Sequence, residues 1–130
     1  MTPVEYETVM TRNPSGLCEL GCGRRATDWH HRNPKRAGGT SNPNINRTSN
    51  GLALCSHCHH WVVHEHPAIA YHMGWLVHSW DDETLVPVWI SNIIAPRWWL
   101  LVDNGGLAFP AECPAVDEGA LVTLGLSVYV

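Results

Sequence analysis

The stretch Asn50–His66, NGLALCSHCHHWVVHEH, holds two cysteines at a CxxC spacing and five of the nine histidines in the chain. The cysteines are Cys55 and Cys58, and the histidines are His57, His59, His60, His64 and His66. Thiols and imidazoles are poor material for a hydrophobic core, but they are the ligands that zinc prefers. The stretch therefore predicts metal binding, and the rest of the 130-residue chain should supply the missing ligands.

A second cysteine pair lies upstream, at Cys18 and Cys22, with glycines on both sides of Cys22. Glycine permits the tight backbone path of a metal knuckle. The combined pattern, CxxxC–x32–CxxC, predicts a closed structural zinc site of four thiolates: Cys18, Cys22, Cys55 and Cys58. Two pairs of free thiols are the alternative. Cys113 has no evident partner and is interpreted as an inert thiol.

Three predicted elements surround the CxxC pair. Residues 26–31 (ATDWHH) and 50–54 read as two short antiparallel strands, and residues 55–65 read as a helix. Residues 32–49, rich in Gly, Pro and Asn, predict a long loop between the strands. Neighbouring residues in a strand face opposite sides, so His30 and His31 should have different roles. Imidazoles from the first strand and from the helix would then meet around one divalent metal, unless some are ordinary surface residues.

The flanking regions differ in character. We expect residues 1–14 to form a poorly ordered or partner-dependent arm, residues 15–74 a metal-binding domain, and residues 75–130 a β-rich extension. Strands are predicted at 75–80, 86–90, 97–102, 107–109 and, less regularly, 119–130, with a hairpin turn at 103–106. The tryptophans of the extension are interpreted as packing residues rather than as a stacking platform. The predicted fold class is α+β.

The formal net charge of −4 argues against a general polyanion binder, but the charge is uneven. Residues 24–47 contain six bases and one acid, whereas the chain from residue 67 onward contains one base and seven acids. A basic segment beside a metal motif predicts a phosphate-contacting surface or, more plainly, a solvated loop. We find neither a signal peptide nor a membrane-length apolar run, which favours a reducing, cytoplasmic setting in which paired cysteines bind zinc.

These motifs resemble the HNH endonuclease family. The resemblance rests on the Cys18/Cys22 knuckle, on residues 26–32 (ATDWHHR) and on residues 50–59 (NGLALCSHCH). It is closest to small zinc-clamped HNH proteins of actinobacterial phages, and it extends loosely to residues 66–67, 74–75 and 99–103. The resemblance implies a ββα-metal core with a four-cysteine knuckle.

Carried over by position, the resemblance implies that His31 is the general base and that Asn50 orients its ring. His30 and His59 would bind a catalytic divalent metal (Mg²⁺, Mn²⁺, Ni²⁺ or Zn²⁺). The family often spaces its helical histidines four apart, but position 63 is valine. We favour His59 with His64 around a slightly distorted turn over the pair His60 and His64. The expected DNA contacts are Arg24, Arg25, Arg32, Lys35, Arg36 and Arg47.

The function expected from this resemblance is metal-dependent hydrolysis of DNA phosphodiester bonds. If the chain is phage-encoded, the resemblance places it in the host cytoplasm, beside terminase in genome packaging. One alternative is a zinc-stabilised DNA-binding or assembly module that has lost catalysis. Another is a structural zinc protein whose tryptophan-rich half binds a second protein.

Overall fold

A computed structural model describes residues 3–34, 47–91 and 96–126. The helices are α1 (Pro3–Arg12), α2 (Pro67–His72) and α3 (Glu118–Thr123), together with a π-helix at Cys58–His64 and a 3₁₀-helix at Thr48–Asn50. Asn50, predicted to start the second strand, is therefore the last residue of the 3₁₀-helix. The strands are β1 (Asp28–His31), β2 (Gly51–Leu54), β3 (Val88–Ile90), β4 (Arg97–Leu101) and β5 (Leu107–Ala108). This mixture of helices and short strands agrees with the predicted α+β class.

The antiparallel pairing predicted for the first two strands is confirmed. His31 of β1 is opposite Gly51 of β2, and Asp28 is opposite Leu54. The Trp29 ring lies against Gly51 so closely that a Cβ atom at Gly51 would overlap Trp29 Cζ2. Any larger residue at this position would therefore have to displace the Trp29 ring.

The helix predicted after β2 is present, but most of it is a π-helix. A first turn at residues 56–57 leads into the π-helical segment Cys58–His64. Its buried side is formed by Cys58, Val62 and Val63. Pro67 then starts α2, which is consistent with the preference of proline for the first turn of a helix.

The C-terminal half holds a three-stranded antiparallel sheet in the order β3–β4–β5. The predicted hairpin turn between β4 and β5 is confirmed, with the Gly105 N–H donating to the Val102 carbonyl. Two predicted strands are wrong. Residues 75–80 form turns and irregular backbone. In the strand predicted at 119–130, residues up to 123 belong to α3, which Asp117 caps by accepting a hydrogen bond from the Ala120 N–H, and residues 127–130 lie outside the described residues.

The expectation of a poorly ordered N-terminal arm is also wrong for residues 3–12, which form α1. Its last residue, Arg12, is buried and makes a two-point ion pair with Glu19, with both nitrogen–oxygen distances at 2.9 Å. The same guanidinium donates to the carbonyls of Thr48 and Gly51. α1 is therefore bonded both to the cysteine knuckle and to the start of β2.

One hydrophobic cluster runs across the predicted boundary at residue 74. It joins Leu20 of the knuckle, Leu54 of β2 and Val62 of the π-helix to Trp75 and to the C-terminal residues Val88, Ile90, Leu101, Leu121 and Leu126. The division into domains stays a prediction, but the two halves share this core. None of the helices in the described parts of the chain is long and apolar enough to cross a membrane.

Candidate metal centre

The four predicted thiol ligands lie together. The sulfur atoms of Cys18, Cys22, Cys55 and Cys58 are all within 4.8 Å of one another, and the Sγ atoms of Cys22 and Cys55 are 3.5 Å apart. The knuckle brings Cys22 into place through Gly21 and Gly23, whose φ angles of +82° and +87° are in the left-handed region. The glycines at these positions thus have the role that the sequence predicted.

This thiol cluster fits a tetrahedral zinc ion. A Zn–S bond of about 2.3 Å places the sulfurs of such a site about 3.8 Å apart. Close contact with Cys18, followed by burial, raises the pKa of Cys58, so the four thiols cannot all ionise cheaply without a cation among them. Cys18 and Cys58 are fully buried, which leaves no open ligand position on that side.

A second cluster consists of the three imidazoles of His30, His59 and His64. Their candidate ligand atoms all lie within 4.8 Å of one another, and the ring centroids are 4.9–5.9 Å apart. His30 is buried, His59 is half-buried and His64 is exposed. The cluster is therefore closed on the side of β1 and open to solvent on the side of His64. Three imidazoles with an open side suit a divalent metal that also binds water and substrate.

The π-helix explains how residues five apart in sequence share this cluster. In an α-helix, with about 100° per residue, His59 and His64 would point roughly 140° apart. The i→i+5 bonding of a π-helix instead brings such residues one above the other. Of the two helical pairs considered, the structure brings His59 and His64 together with His30, whereas the His60 side chain is 69% exposed and lies towards Asp28.

His30 is held in one tautomer by the C-terminal half of the chain. Its Nε2 is 2.7 Å from the Trp75 carbonyl oxygen, which can only accept, so Nε2 carries the proton and Nδ1 carries the lone pair. Burial is the main reason that the pKa of His30 is lowered to about 3. The ring is thus neutral at physiological pH, which is the state that a metal requires.

Asp28 belongs to the site although the sequence analysis did not single it out. Its Oδ2 accepts a hydrogen bond from His59 Nδ1 at 2.9 Å and lies 3.7 Å from His60 Nε2. The bond to His59, its largest cause, lowers the pKa of Asp28. A carboxylate on one ring nitrogen leaves the other nitrogen as the metal ligand. Strand alternation was the available signal, since residues 28 and 30 share a face of β1.

His31 ends β1 and is half-buried, directly after His30 of the imidazole cluster. Asn50 is fully buried one residue before Gly51, the partner of His31 in the register. The Asn50 side chain clasps the Asn33 backbone, accepting from its N–H at 2.8 Å and donating to its carbonyl at 3.1 Å. The Asn50 carbonyl has a second lone pair, so this clasp is compatible with the predicted bond to His31.

The six predicted DNA-contacting residues have different environments. Arg25 is exposed, and the exposed Arg24 has a raised pKa because its guanidinium lies beside the sulfurs of Cys22 and Cys55. Arg47 is paired with Asp103 at 2.6 Å. Arg32 is fully buried and donates to the carbonyls of Ser49, Gly74, Glu83 and Val86, so a phosphate contact by Arg32 is at odds with its position. Lys35 and Arg36 lie outside the described residues.

Comparison with known proteins supplies one finding. A family model described as HNH endonuclease matches residues 3–69, just over half of the chain. The matched range includes both cysteine pairs and every residue of the imidazole cluster. Comparisons with curated proteins and with solved structures returned no match.

Proposed function

Because this chain belongs to the HNH endonuclease family, we propose that it is a metal-dependent DNA endonuclease that hydrolyses phosphodiester bonds. The observation that carries the proposal is the three-imidazole cluster, open to solvent on one side and placed directly beside His31. In this proposal His30, His59 and His64 hold the catalytic divalent cation. Cys18, Cys22, Cys55 and Cys58 hold a structural zinc.

The cation, when bound, supplies positive charge that stabilises the phosphate in the transition state and the leaving oxygen. His31 takes a proton from a water molecule through an unprotonated ring nitrogen. The water oxygen forms a bond to phosphorus, the bond from phosphorus to the 3′ oxygen breaks, and the leaving oxygen takes up a proton from solvent. By family resemblance the products carry 5′-phosphate and 3′-hydroxyl ends. An imidazole suits proton transfer because its ordinary pKa lies near working pH.

Asn50 has two parts in this scheme. Its two hydrogen bonds to the Asn33 backbone join the segment after β1 to the residue before β2, so the backbone around His31 has little conformational freedom. We propose that its side-chain carbonyl also accepts the N–H of the His31 ring, which would fix the tautomer that leaves the reacting nitrogen unprotonated. We assign orientation to Asn50 and proton transfer to His31.

The basic residues of the knuckle complete the proposal. Arg25 and Arg24 are exposed on the knuckle, and we propose that they contact phosphates together with Lys35, Arg36 and the partly exposed Arg47. Arg32 is left out because its four carbonyl partners occupy its guanidinium. Contacts of this kind give affinity and a marked salt dependence, but little sequence preference.

The test is nicking of a supercoiled plasmid in the presence of Mg²⁺, Mn²⁺ or Ni²⁺. We expect cleavage by the wild type and loss of about 10²-fold or more in rate for His31→Ala, which loses the general base. The matched control is His57→Ala, because His57 is an exposed histidine that stacks on Trp61 outside both clusters. Equal rates for wild type and His31→Ala would refute the mechanism.

The rival function is a DNA-binding or assembly module without catalysis. DNA binding that survives His31→Ala, with no cleavage by the wild type under any of the three cations, would favour this rival. The proposed phage setting, with action beside terminase during genome packaging, is tested by co-purification of the wild-type chain with terminase subunits from infected cells. Lack of association would remove the packaging role and leave the chemistry untouched.

A further inference from the structure

Three aromatic side chains form a continuous stack on the surface beside the proposed active site. The ring centroids of Tyr71 and His78 are 4.0 Å apart at an interplanar angle of 7°. Those of His78 and Trp80 are 4.5 Å apart at 4°. We define Tyr71, His78 and Trp80 as the aromatic stack. It lies outside the residues that the family model matches, and neither metal cluster uses it.

The outer end of the stack is open. Trp80 is 78% exposed, which is the highest value among the large hydrophobic residues in the described parts of the chain. His78 covers one face of the indole, so its other face is available to a planar ligand. Because the two rings beneath it already lie parallel, little conformational freedom remains to be lost when a further ring is added.

Hydrogen bonds join the aromatic stack to the proposed catalytic strand. The Asn33 side chain donates to the carbonyls of His78 and Asp81, at 3.1 and 3.3 Å. The Asn33 backbone N–H donates to the Asn50 side chain. Asn33 follows His31 by two residues, and two residues of chain span at most about 7 Å. The backbone that carries the stack is therefore hydrogen-bonded to a residue that lies two positions after the proposed general base.

The charges around the stack select the part of a nucleic acid that it can contact. Asp81 and Asp82 are exposed and follow Trp80 directly, and hydrogen bonds from Thr84 lower the pKa of Asp82. Among the described residues, Arg47 is a cation that acts on Asp82, and it is paired with Asp103. Asp81 and Asp82 disfavour a phosphate directly against Trp80, whereas Arg47 remains a proposed phosphate contact. A neutral, planar base that extends away from its phosphate meets no such repulsion.

From these observations we propose that the aromatic stack binds an unpaired nucleobase of the DNA substrate, next to the cleaved phosphate. The substrate class that follows is DNA with a single-stranded or frayed segment at the cleavage site, since a base in an intact duplex cannot stack on Trp80. The inference rests on the proposed function for the identity of the ligand. Stacking on aromatic side chains is tolerant of base sequence.

The experiment measures DNA binding in the His31→Ala background by fluorescence anisotropy, with a single-stranded oligonucleotide and the corresponding blunt duplex. Adding Trp80→Ala should weaken binding of the single strand about 5- to 150-fold, the range found when aromatic stacking partners are removed. Binding of the duplex should change less than about twofold by the same reasoning. Trp80→Phe should retain most of the affinity. The matched control is Phe109→Ala, an exposed aromatic residue on another surface.

The salt dependence of DNA affinity distinguishes base stacking from contacts between charged groups. The loss caused by Trp80→Ala should be the same at about 50 and 200 mM salt, whereas the loss caused by Arg25→Ala should shrink as salt screens phosphate contacts. Two results would overturn the inference. One is an equal affinity for the single strand with and without Trp80→Ala. The other is a loss of affinity on Trp80→Ala that shrinks with salt as the loss on Arg25→Ala does. If the wild type still nicks plasmid DNA in that case, only the proposed role of the aromatic stack is wrong. If nicking is absent while Trp80→Ala still weakens single-strand binding, only the nuclease proposal fails.

Discussion

Replacement of Arg32 by alanine should destabilise the protein strongly while leaving in place the exposed Arg24 and Arg25, which are proposed to contact DNA. The guanidinium donates to four carbonyls at 2.8–3.1 Å, and three of these carbonyls belong to the buried residues Ser49, Gly74 and Glu83. A buried carbonyl that loses its donor costs about 1–3 kcal/mol. Three of them, with the cavity left by the side chain, give a loss of at least about 3 kcal/mol.

Removal of the buried Arg32 charge brings a gain in stability, which reduces this loss but does not cancel it. Burial is the main reason that the pKa of Arg32 is lowered to about 9, so the cation is buried at some cost in free energy. Alanine removes that cost together with the hydrogen bonds. Breaking a buried, bonded charge network nevertheless costs about 3–5 kcal/mol in other proteins. Total stabilities are only about 5–15 kcal/mol, so Arg32→Ala should lose a large share of the stability of the protein.

The measurement is urea and thermal unfolding at saturating zinc, so that metal binding contributes equally to both proteins. Arg32→Ala should lower the melting temperature by roughly 10–20 °C for a chain of this size. Arg25→Ala is the control, because Arg25 is exposed and should change stability by less than about 0.5 kcal/mol. The order of the two variants reverses for DNA binding, because Arg25→Ala should weaken the complex with DNA more than Arg32→Ala does. An Arg32→Ala protein of normal stability and reduced DNA affinity would refute the structural role assigned to Arg32.

Three further predictions test the rest of the architecture. Cys58→Ser should lower bound zinc below one equivalent and broaden the thermal transition, measured by elemental analysis and calorimetry, whereas Cys113→Ser should match the wild type. Asp28→Ala should weaken divalent-cation binding at the imidazole cluster about 10- to 100-fold by isothermal titration, with Asp28→Asn in between; an unchanged affinity would remove its orienting role. Removal of residues 75–130 should leave an unfolded chain by circular dichroism, because His30 loses the Trp75 carbonyl and the shared core loses one side; a folded fragment would vindicate the predicted boundary at residue 74.

The parts of the fold that the sequence predicted correctly depend on local signals. The CxxxC and CxxC spacings, the apolar run after Asn50 and the Asp-Asn-Gly-Gly turn each act within a few residues. The thiol cluster, the β1–β2 pair and the β4–β5 hairpin followed from them. The meeting of His30, His59 and His64 also agrees with the predicted set, although the roles of these residues stay proposals.

The errors have physical causes that are largely not local. α1 is held by the buried Arg12–Glu19 pair and by bonds to residues about forty positions away, which no window of sequence contains. The backbone after Trp75 is shaped by Arg32, whose carbonyl accepts the Val77 N–H. At α3 a local signal was outweighed by the apolar, β-branched composition that favoured a strand. Asp117 followed by Glu118 is a helix start, and Asp117 does cap α3.

Because the helix is a π-helix, the proposed metal ligands His59 and His64 lie together although they are five residues apart in sequence. The number of residues between two histidines on one helix is therefore not fixed in a metal site of this kind. A pattern that demands three residues between the helical histidines would pass over His59 and pair His64 with His60, which lies towards Asp28. The wider turn of the π-helix accommodates one additional residue and keeps both imidazoles on the same side of the helix. Deletion of Val62 or Val63 with return to α-helical pitch would therefore preserve the ligand pair and shift everything downstream by one position. In comparing related sequences, an insertion at this point is evidence for a wider turn rather than for a lost site.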